Sequence, residues 1–403
     1  MKIEKVIYFI RSNFCQRDFK RFGIEIMKNN GFLVEIWDLT PFLNPEAYKT
    51  LEVPDPIDYQ KSNCRLFIKK EEAVNEIKNL KQDAIIISMM VFDYKTYFLY
   101  RELSKKDILY SLVYTNAIPM YKNVSGSYSF FNRCRLIHFL KKIRELNLGK
   151  IKKNIFRKIP FNWLMIQLPA FIFAGGSQSI VNYPSPIGLR TKVIWGHTLD
   201  YDLYLKDLQQ TSKNELASKK YIVFIDAYMP FHPDYIHMNI KPPIAPEIYY
   251  QAMCKFFYKV EKETGLKVII AAHPRSKYEE HPDYFDGRKV IRGKTMELVR
   301  DSEFVLMHSS TSLNFAVLYH KPVLFLTLVK MEQSKVFTDY IRMVSSELNK
   351  GFITIDSDYK IDWDKELKID EEAYANYKEK YIKRRNTKEE FFWQIVADEI
   401  KKL

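Results

Sequence analysis

Three apolar runs in the second half of the chain end in polar side chains, and each run has the composition of a buried β-strand. Asp226 follows YIVFI, His273 follows KVIIAA, and His308 follows FVLM. Open α/β sheets bind ligands beyond the carboxyl ends of their parallel strands. If these strands are parallel, the three side chains lie at that edge of one sheet and are the first candidates for chemistry.

The run HSSTS begins at His308 and leads into a predicted short helix near Ser312. Hydroxyl groups and free backbone N–H groups at the start of a helix can bind an anion. We therefore predict that Ser309, Ser310 and Thr311, together with His308, contact a nucleotide phosphate. The alternative is that Ser310 or Thr311 only caps the helix, and one residue can serve both purposes.

His273 precedes Pro274, which restricts the turn after the strand and thereby orients the imidazole. A histidine that titrates near neutrality can carry a positive charge beside a phosphate or donate a proton to a leaving phosphate. We predict that His273, Pro274 and the serine run are phosphate-binding elements on neighbouring strand ends. The alternative is a strand-end histidine with structural hydrogen bonds.

Asp226 is the carboxylate best placed to take a proton from an acceptor hydroxyl, because it follows a strand at the predicted ligand edge. Its alternatives are capping of the next loop or, in a retaining reaction, the role of nucleophile. His232 lies nearby and is a candidate for the same pocket or for ordinary loop hydrogen bonds. In FAGGSQS, Gly175 and Gly176 permit either close approach to a ligand or a tight turn. The tight turn is favoured, because the spaced glycines of a dinucleotide site are absent.

The positions of these residues depend on two series of alternating strands and helices, a pattern typical of two doubly wound α/β domains that face a central cleft. We predict an acceptor domain over 1–205 and a nucleotide domain over 206–403, with a polar linker at 205–220. Residues 195–205 are interpreted as the crossover between the domains. A long charged helix is predicted over 371–403. The predicted strands are 5–10, 34–38, 84–89, 110–115, 171–174, 192–195, 221–225, 267–272, 304–307, 323–327 and 352–355.

The length of 403 residues suits two such domains, and a hydrophobic fraction of 47% allows each to bury a core. The four cysteines are scattered, which argues against disulfides or a zinc site and predicts a cytoplasmic protein. The sequence lacks the phosphate-loop, nucleophile-elbow and HExxH motifs. With only weak DxD candidates, we expect a mechanism that needs no metal and no cofactor.

The net charge of +14 is concentrated in residues 122–158, which hold eleven Lys or Arg residues and one acid, Glu145. Apolar residues recur there at helical spacing, a combination that favours an anionic membrane surface. The alternative is a solvated basic face near the cleft. Nucleic acid is not expected as a partner, because no recognised binding module accompanies the charge.

At His273-Pro274 and at Ser309-Ser310 or Ser310-Thr311, the chain resembles bacterial sialyltransferases and polysialyltransferases. It resembles, more widely, capsule and lipopolysaccharide glycosyltransferases of the GT-B fold. The resemblance covers mainly residues 221–330. It implies a CMP-sugar donor, with the histidine and hydroxyls around its phosphate, and an inverting transfer that needs no metal. The acidic-acidic-Gly motif that supplies the base in several of these enzymes is absent, since FDGRK at 285–289 has a single acid.

The sequence therefore predicts a peripheral enzyme on the cytoplasmic face of the bacterial inner membrane. It would transfer a sialic-acid-like nonulosonic acid to a glycan or lipid-linked glycan. Donors that stay open are CMP-Kdo, a UDP-hexose and CDP-glycerol. A non-catalytic, membrane-associated scaffold of polysaccharide assembly is the alternative from another class.

Overall fold

A computed structural model describes residues 2–53, 55–115, 119, 156, 159, 161–181, 187–210, 220–233, 235 and 241–403. The first half forms a seven-stranded sheet in the order β3-β2-β1-β4-β5-β6-β7, and every neighbouring pair is parallel. Its strands are β1 (Lys5–Ile10), β2 (Leu33–Asp38), β3 (Cys64–Leu66), β4 (Ala84–Ser88), β5 (Leu109–Tyr114), β6 (Phe171–Ala174) and β7 (Lys192–Trp195).

The second half forms a six-stranded parallel sheet in the order β10-β9-β8-β11-β12-β13. Its strands are β8 (Tyr221–Ile225), β9 (Lys267–Ala272), β10 (Val290–Arg292), β11 (Val305–Met307), β12 (Val323–Thr327) and β13 (Ile353–Thr354). In both sheets, successive strands are added first on one side of the first strand and then on the other. The strand order therefore reverses between β1 and β4 in the first sheet and between β8 and β11 in the second. This is the doubly wound, Rossmann-like order, so the predicted fold class is confirmed.

The central strands of both sheets are covered on both faces, which explains their nearly continuous apolar sequences. The helices that cover them, or lie at their ends, follow in chain order. They are α1 (Gln16–Arg21), α2 (Ile24–Asn29), α3 (Thr40–Leu43), α4 (Pro45–Thr50), α5 (Lys70–Asn79), α6 (Tyr97–Lys105), α7 (Leu199–Gln209), α8 (Pro246–Thr264), α9 (Thr295–Asp301), α10 (Leu313–Leu318), α11 (Val329–Glu332), α12 (Lys335–Ser346), α13 (Trp363–Glu366), α14 (Glu371–Tyr377) and α15 (Phe392–Ile400).

The C-terminal segment differs from the single helix predicted over 371–403. Helix α14 continues into a π-helical turn at Lys378–Ile382, and α15 begins only at Phe392. The chain leaves helical geometry at Lys383, which is extended, and Asn386 has a left-handed φ of 61°. The prediction was wrong because the charged residues between the two helices turn the chain back across the molecule.

Helix α15 packs on the core of the first domain, although the sequence assigned it to the second. The ring of Trp393 lies 5.4 Å from that of Tyr8 in β1. Gly23, with a φ of 59°, separates α1 from α2, and a Cβ atom there would lie 2.2 Å from the Trp393 side chain. The helical segment after β1 is thus divided into two short helices, because Trp393 of the last helix packs against a glycine at their junction.

The predicted domain boundary at residue 205 falls inside α7 rather than in a linker. Residues 211–219 of that predicted linker lie outside the described residues, so the domain limits stay a prediction. Helix α7 fits the predicted crossover, because it is bonded to both halves of the chain. Asp200 accepts hydrogen bonds from Arg21 in α1 at 2.7 Å and from Asn314 in α10 at 2.9 Å.

Candidate functional site

The three polar side chains predicted to share one sheet edge do so. Asp226, His273 and His308 directly follow β8, β9 and β11, whose order in the sheet is β9-β8-β11. One detail of the prediction was wrong. The His273 turn and the serine run are not on neighbouring strands, because β8 and Asp226 lie between them, and two strand spacings separate their backbones by about 10 Å.

Asp226 is buried and accepts hydrogen bonds at both carboxylate oxygens. Its Oδ1 accepts from the backbone N–H of Tyr228 at 2.8 Å, and its Oδ2 accepts from the Tyr278 hydroxyl at 2.7 Å. The backbone N–H of His273 lies 3.4 Å from the same Oδ2. Burial raises the pKa of Asp226 to about 6, against these hydrogen bonds, which favour the ionised form. The carboxylate thus holds together the turns that follow β8 and β9.

His273 is half-buried and fixed at one ring nitrogen. Its Nδ1 accepts a hydrogen bond from the backbone N–H of Arg275 at 3.2 Å, so the neutral ring carries its proton on Nε2. The ring plane lies 11° from that of Tyr228 and 5.2 Å from the His232 ring. Burial, followed by the charges of His232, Arg275 and Arg17, lowers the pKa of His273 to about 3. At neutral pH the ring is therefore neutral and presents a hydrogen-bond donor at Nε2.

His308 has no exposed surface, and both of its ring nitrogens have partners inside the second domain. Nδ1 lies 2.7 Å from the carbonyl oxygen of Leu326 in β12, and Nε2 lies 2.9 Å from the Tyr249 hydroxyl in α8. Burial lowers the pKa of His308 to about 4, so the ring is neutral. The predicted nucleotide contact of this side chain is corrected to a structural role, the support of the turn that follows β11.

The serine run after His308 is a turn that leads into α10. Ser309 and Ser310 are half-buried and Thr311 is exposed. The Ser310 hydroxyl accepts a hydrogen bond from the backbone N–H of Ser312 at 3.2 Å, which is the local capping contact that the sequence offered as an alternative. The hydroxyls of Ser309 and Thr311 lie on the same accessible turn, and the phosphate contact stays a prediction.

Gly175 and Gly176 are buried against the chain's own backbone, which corrects their prediction as pocket residues. A Cβ atom on Gly176 would lie 2.3 Å from the carbonyl oxygen of Lys380. The next two backbone N–H groups, of Ser177 and Gln178, donate to the carbonyls of Glu379 at 3.0 Å and Lys380 at 2.9 Å. The glycines therefore form the tight turn that was favoured from the sequence, and it receives the C-terminal π turn.

Across the cleft, the loop after β1 contributes residues that the sequence reasoning missed. A narrow crevice of about 20 Å³ is lined by Asn13, Cys15 and Arg17 from the first domain and by Pro274 and Arg275 from the second. Lys277 bonds Glu52 across it at 2.6 Å. The signal was available for Arg275, which stands in the same HPRS run as His273. It was also available for Arg17, since α1 begins shortly after the carboxyl end of β1.

Three further predictions can be placed only in part. His232 lies beside His273, as expected for a shared pocket. The basic stretch 122–158 lies outside the described residues apart from Phe156. Among the residues that the structure describes, there is no cluster of three or more metal-ligating side chains. No helix in the described ranges has the length and apolar composition needed to cross a bilayer.

No family model matches the sequence, and no curated protein matches it. Among solved structures, the calicheamicin glycosyltransferase CalG4 is similar at a TM-score of 0.50 and 11% identity, covering 100% of this chain and 98% of that one. A putative UDP-N-acetylglucosamine 2-epimerase from Listeria monocytogenes has a TM-score of 0.48 at 12% identity, covering 99% and 95%. MurG from Acinetobacter baumannii has a TM-score of 0.46 at 8% identity, covering 99% and 100%. The likeness to CalG4 shows the fold alone, and the chain has the GT-B arrangement of two Rossmann-like domains.

Proposed function

We propose that this chain is a glycosyltransferase that moves a sialic-acid-like nonulosonic acid from a CMP-sugar to a surface glycan, by inversion and without a metal. The second domain holds the nucleotide and the first holds the acceptor. The observation that carries the proposal is the cleft edge of the second sheet. There the His273–Arg275 turn faces Arg17 of α1 and lies two strand spacings from the Ser309–Thr311 turn.

This edge suits a phosphate for electrostatic and geometric reasons. The guanidinium groups of Arg17 and Arg275 both lower the pKa of His273, so their positive charge is felt at the ring. A phosphodiester that takes their place as the nearest charge raises the pKa of His273 and accepts a hydrogen bond from Nε2–H. The two turns are separated by about 10 Å, which leaves room for a phosphate with hydrogen bonds on both sides.

In this proposal His273 supplies the hydrogen-bond donor. The bound phosphate raises the pKa of His273, so the ring takes up a proton from solvent and releases that proton to the phosphate of CMP on departure. The hydroxyls of Ser309 and Thr311 complete the phosphate contacts. Asp226 remains the predicted base, but its hydrogen bonds to Tyr278 and to two backbone N–H groups support a positioning function for the His273 turn. Either function places Asp226 at the same cleft edge.

The test of this function is a donor screen with the full-length chain. CMP-sialic acid, CMP-Kdo, UDP-hexoses and CDP-glycerol are offered, and the released CMP or UDP, or the transferred glycerol phosphate, is measured. CMP release with the first donor, reduced at least a hundredfold in His273→Ala, supports the proposal. Turnover of only UDP-sugars or CDP-glycerol overturns the donor assignment. Unchanged polysaccharide assembly by both His273→Ala and Asp226→Ala favours the non-catalytic scaffold.

We also propose that the protein binds the inner face of the bacterial inner membrane through the first domain. Besides the basic stretch 122–158, support comes from four exposed apolar side chains of the first domain, Trp163, Met165, Leu168 and Leu189. Trp163 is 74% exposed and Met165 67%, whereas Leu164 and Ile166 between them point towards the core. Exposed tryptophan beside lysine and arginine is typical of bilayer interfaces.

Co-sedimentation with phosphatidylglycerol vesicles tests this attachment. Changing Trp163 and Leu189 together to Ser is expected to lower the bound fraction severalfold, because the apolar insertion is lost. Val336→Ser is the matched control, since Val336 is 73% exposed on α12 of the other domain. Neutralising the Lys and Arg residues at 141–153 tests the electrostatic part. Unchanged sedimentation of both variants removes the membrane proposal and leaves the donor chemistry untouched.

A further inference from the structure

A recess at the carboxyl edge of the first sheet has the composition of a sugar-binding site. It is open to solvent and has a volume of about 480 Å³, which lies in the range of small-ligand pockets. Its lining combines half-buried aromatic rings with two lysines: Phe42, Tyr94, Tyr97, Phe98, Lys70 and Lys95. None of the described residues that line it carries a carboxylate.

The recess lies where the topology of the first sheet favours a ligand. Phe42 belongs to α3, which follows β2, and Tyr94 belongs to the loop that follows β4. The sheet reverses between β1 and β4, and such switch points open a crevice beyond the strand ends. Arg11 and Asp93 bridge this crevice at 2.8 Å, so the loop that carries Tyr94 is held in place.

The aromatic side chains offer ring faces to the C–H groups of a sugar. Phe42 and Phe98 have ring centroids 6.4 Å apart, and the Tyr97 ring lies 5.5 Å from that of Phe156. Aromatic faces carry negative charge density and attract polarised C–H groups, as they attract cations. Phe42 and Tyr94 are half-buried, so part of the surface of each side chain is open at the recess.

The charge around the recess selects for an anion. The Lys70 Nζ atom lies 4.1 Å from the Phe98 ring centroid, and Lys95 is exposed at the rim. A local excess of positive charge raises the concentration of an anionic ligand and favours its binding.

We propose that this recess binds a carboxylated sugar of the acceptor glycan, with its ring on the aromatic faces and its carboxylate near Lys70 and Lys95. The inference rests on the proposed function, since it names the class of acceptor. It places the acceptor on the first domain, at the switch point opposite the nucleotide edge of the second. The recess uses none of the residues assigned to the donor.

Binding of two oligosaccharides to the full-length chain tests the inference by calorimetry, without any turnover. An α2,8-linked sialic acid trimer is the acidic probe, and maltotriose is the neutral probe of equal length. The wild-type chain is expected to bind the acidic trimer at least tenfold more tightly. Lys70→Glu and Lys95→Glu should each weaken that binding about fivefold or more, whereas Lys81→Glu, an exposed lysine beyond α5, should leave it unchanged.

Tyr94→Ala separates ring stacking from charge, because it should weaken binding of the trimer while both recess lysines, Lys70 and Lys95, remain. Overturning results are no binding of the acidic trimer, equal binding of maltotriose, or equal affinities in Lys95→Glu and Lys81→Glu. CMP affinity is measured on the same samples and is expected to be the same in every variant. If CMP does not bind but the acidic trimer does, the donor proposal fails and the recess proposal stands.

Discussion

Gly176→Ala should separate the π-helical turn at Lys378–Ile382 from the first domain. The added Cβ atom would lie 2.3 Å from the Lys380 carbonyl oxygen and 2.5 Å from the Tyr381 nitrogen, so backbone must move. Overpacking of this kind costs about 1–3 kcal/mol. Displacement also breaks the two bonds from Ser177 and Gln178, at about 1 kcal/mol each. We expect the free energy of unfolding to fall by about 3–5 kcal/mol.

Urea unfolding measures this change, and Gly351→Ala provides the control. A Cβ atom on Gly351 meets no atom within 4 Å, and its φ is not in the left-handed region, so that variant should match or slightly exceed the wild-type stability. A ligand contact at Gly176 would give the opposite pattern. Wild-type stability of Gly176→Ala with weakened CMP or glycan binding would refute the packing argument and restore the pocket predicted from the sequence.

Three further predictions concern the second domain. Burial raises the pKa of Asp226 from 3.8 to about 6. The wild-type chain should therefore lose about 3 kcal/mol of stability, relative to Asp226→Asn, as the pH rises from about 4 to 7. Urea unfolding at several pH values measures this loss, and an equal pH dependence of stability in the two proteins would contradict it. Tyr249→Phe leaves Nε2 of His308 without its hydrogen-bond donor, so the free energy of unfolding in urea should fall by about 1–3 kcal/mol while the CMP affinity stays unchanged. Weaker CMP binding at wild-type stability would restore His308 as a ligand contact. A CMP-sugar phosphodiester analogue should bind more tightly as the pH falls, because a nearby anion raises the low pKa of His273. Calorimetry in buffers of different ionisation enthalpy should detect proton uptake on binding, and His273→Asn should abolish this uptake. Absence of proton uptake in the wild type would remove His273 from the phosphate site.

The strands and the edge that carries the site were predictable because their signal is local. A run such as YIVFI is too apolar to lie anywhere but inside a sheet, and the polar residue after it marks the strand's end. Parallel order then brings Asp226, His273 and His308 to one edge. The order of the strands in the sheet is not local information, and this is why β8 was not expected between the two turns that are predicted to bind phosphate.

The functions of the individual side chains were harder to predict, because their partners are distant in the sequence. His308 reads as a strand-end histidine like His273, yet Tyr249 and Leu326 enclose it from two other elements. Gly176 was predicted to form a tight turn, with a ligand contact as the alternative, but the sequence did not indicate that its neighbour is Lys380, about half the chain away. Burial by remote segments decided both outcomes, and a single sequence carries no direct record of such contacts.

The proposed nucleotide edge of the second domain and helix α1 of the first domain are connected through Asp200, a buried carboxylate in α7. Asp200 accepts a hydrogen bond from Arg21 of α1 at 2.7 Å and from Asn314 of α10 at 2.9 Å. Helix α1 also carries Arg17, which faces the His273 turn, and α10 begins directly after the serine run. A buried charge that loses one partner is costly, so these contacts resist separate movement of the two helices. Asp200 therefore keeps Arg17 of α1 and the Ser309–Thr311 turn before α10 in a fixed relative position, although Asp200 belongs to neither of the proposed substrate sites.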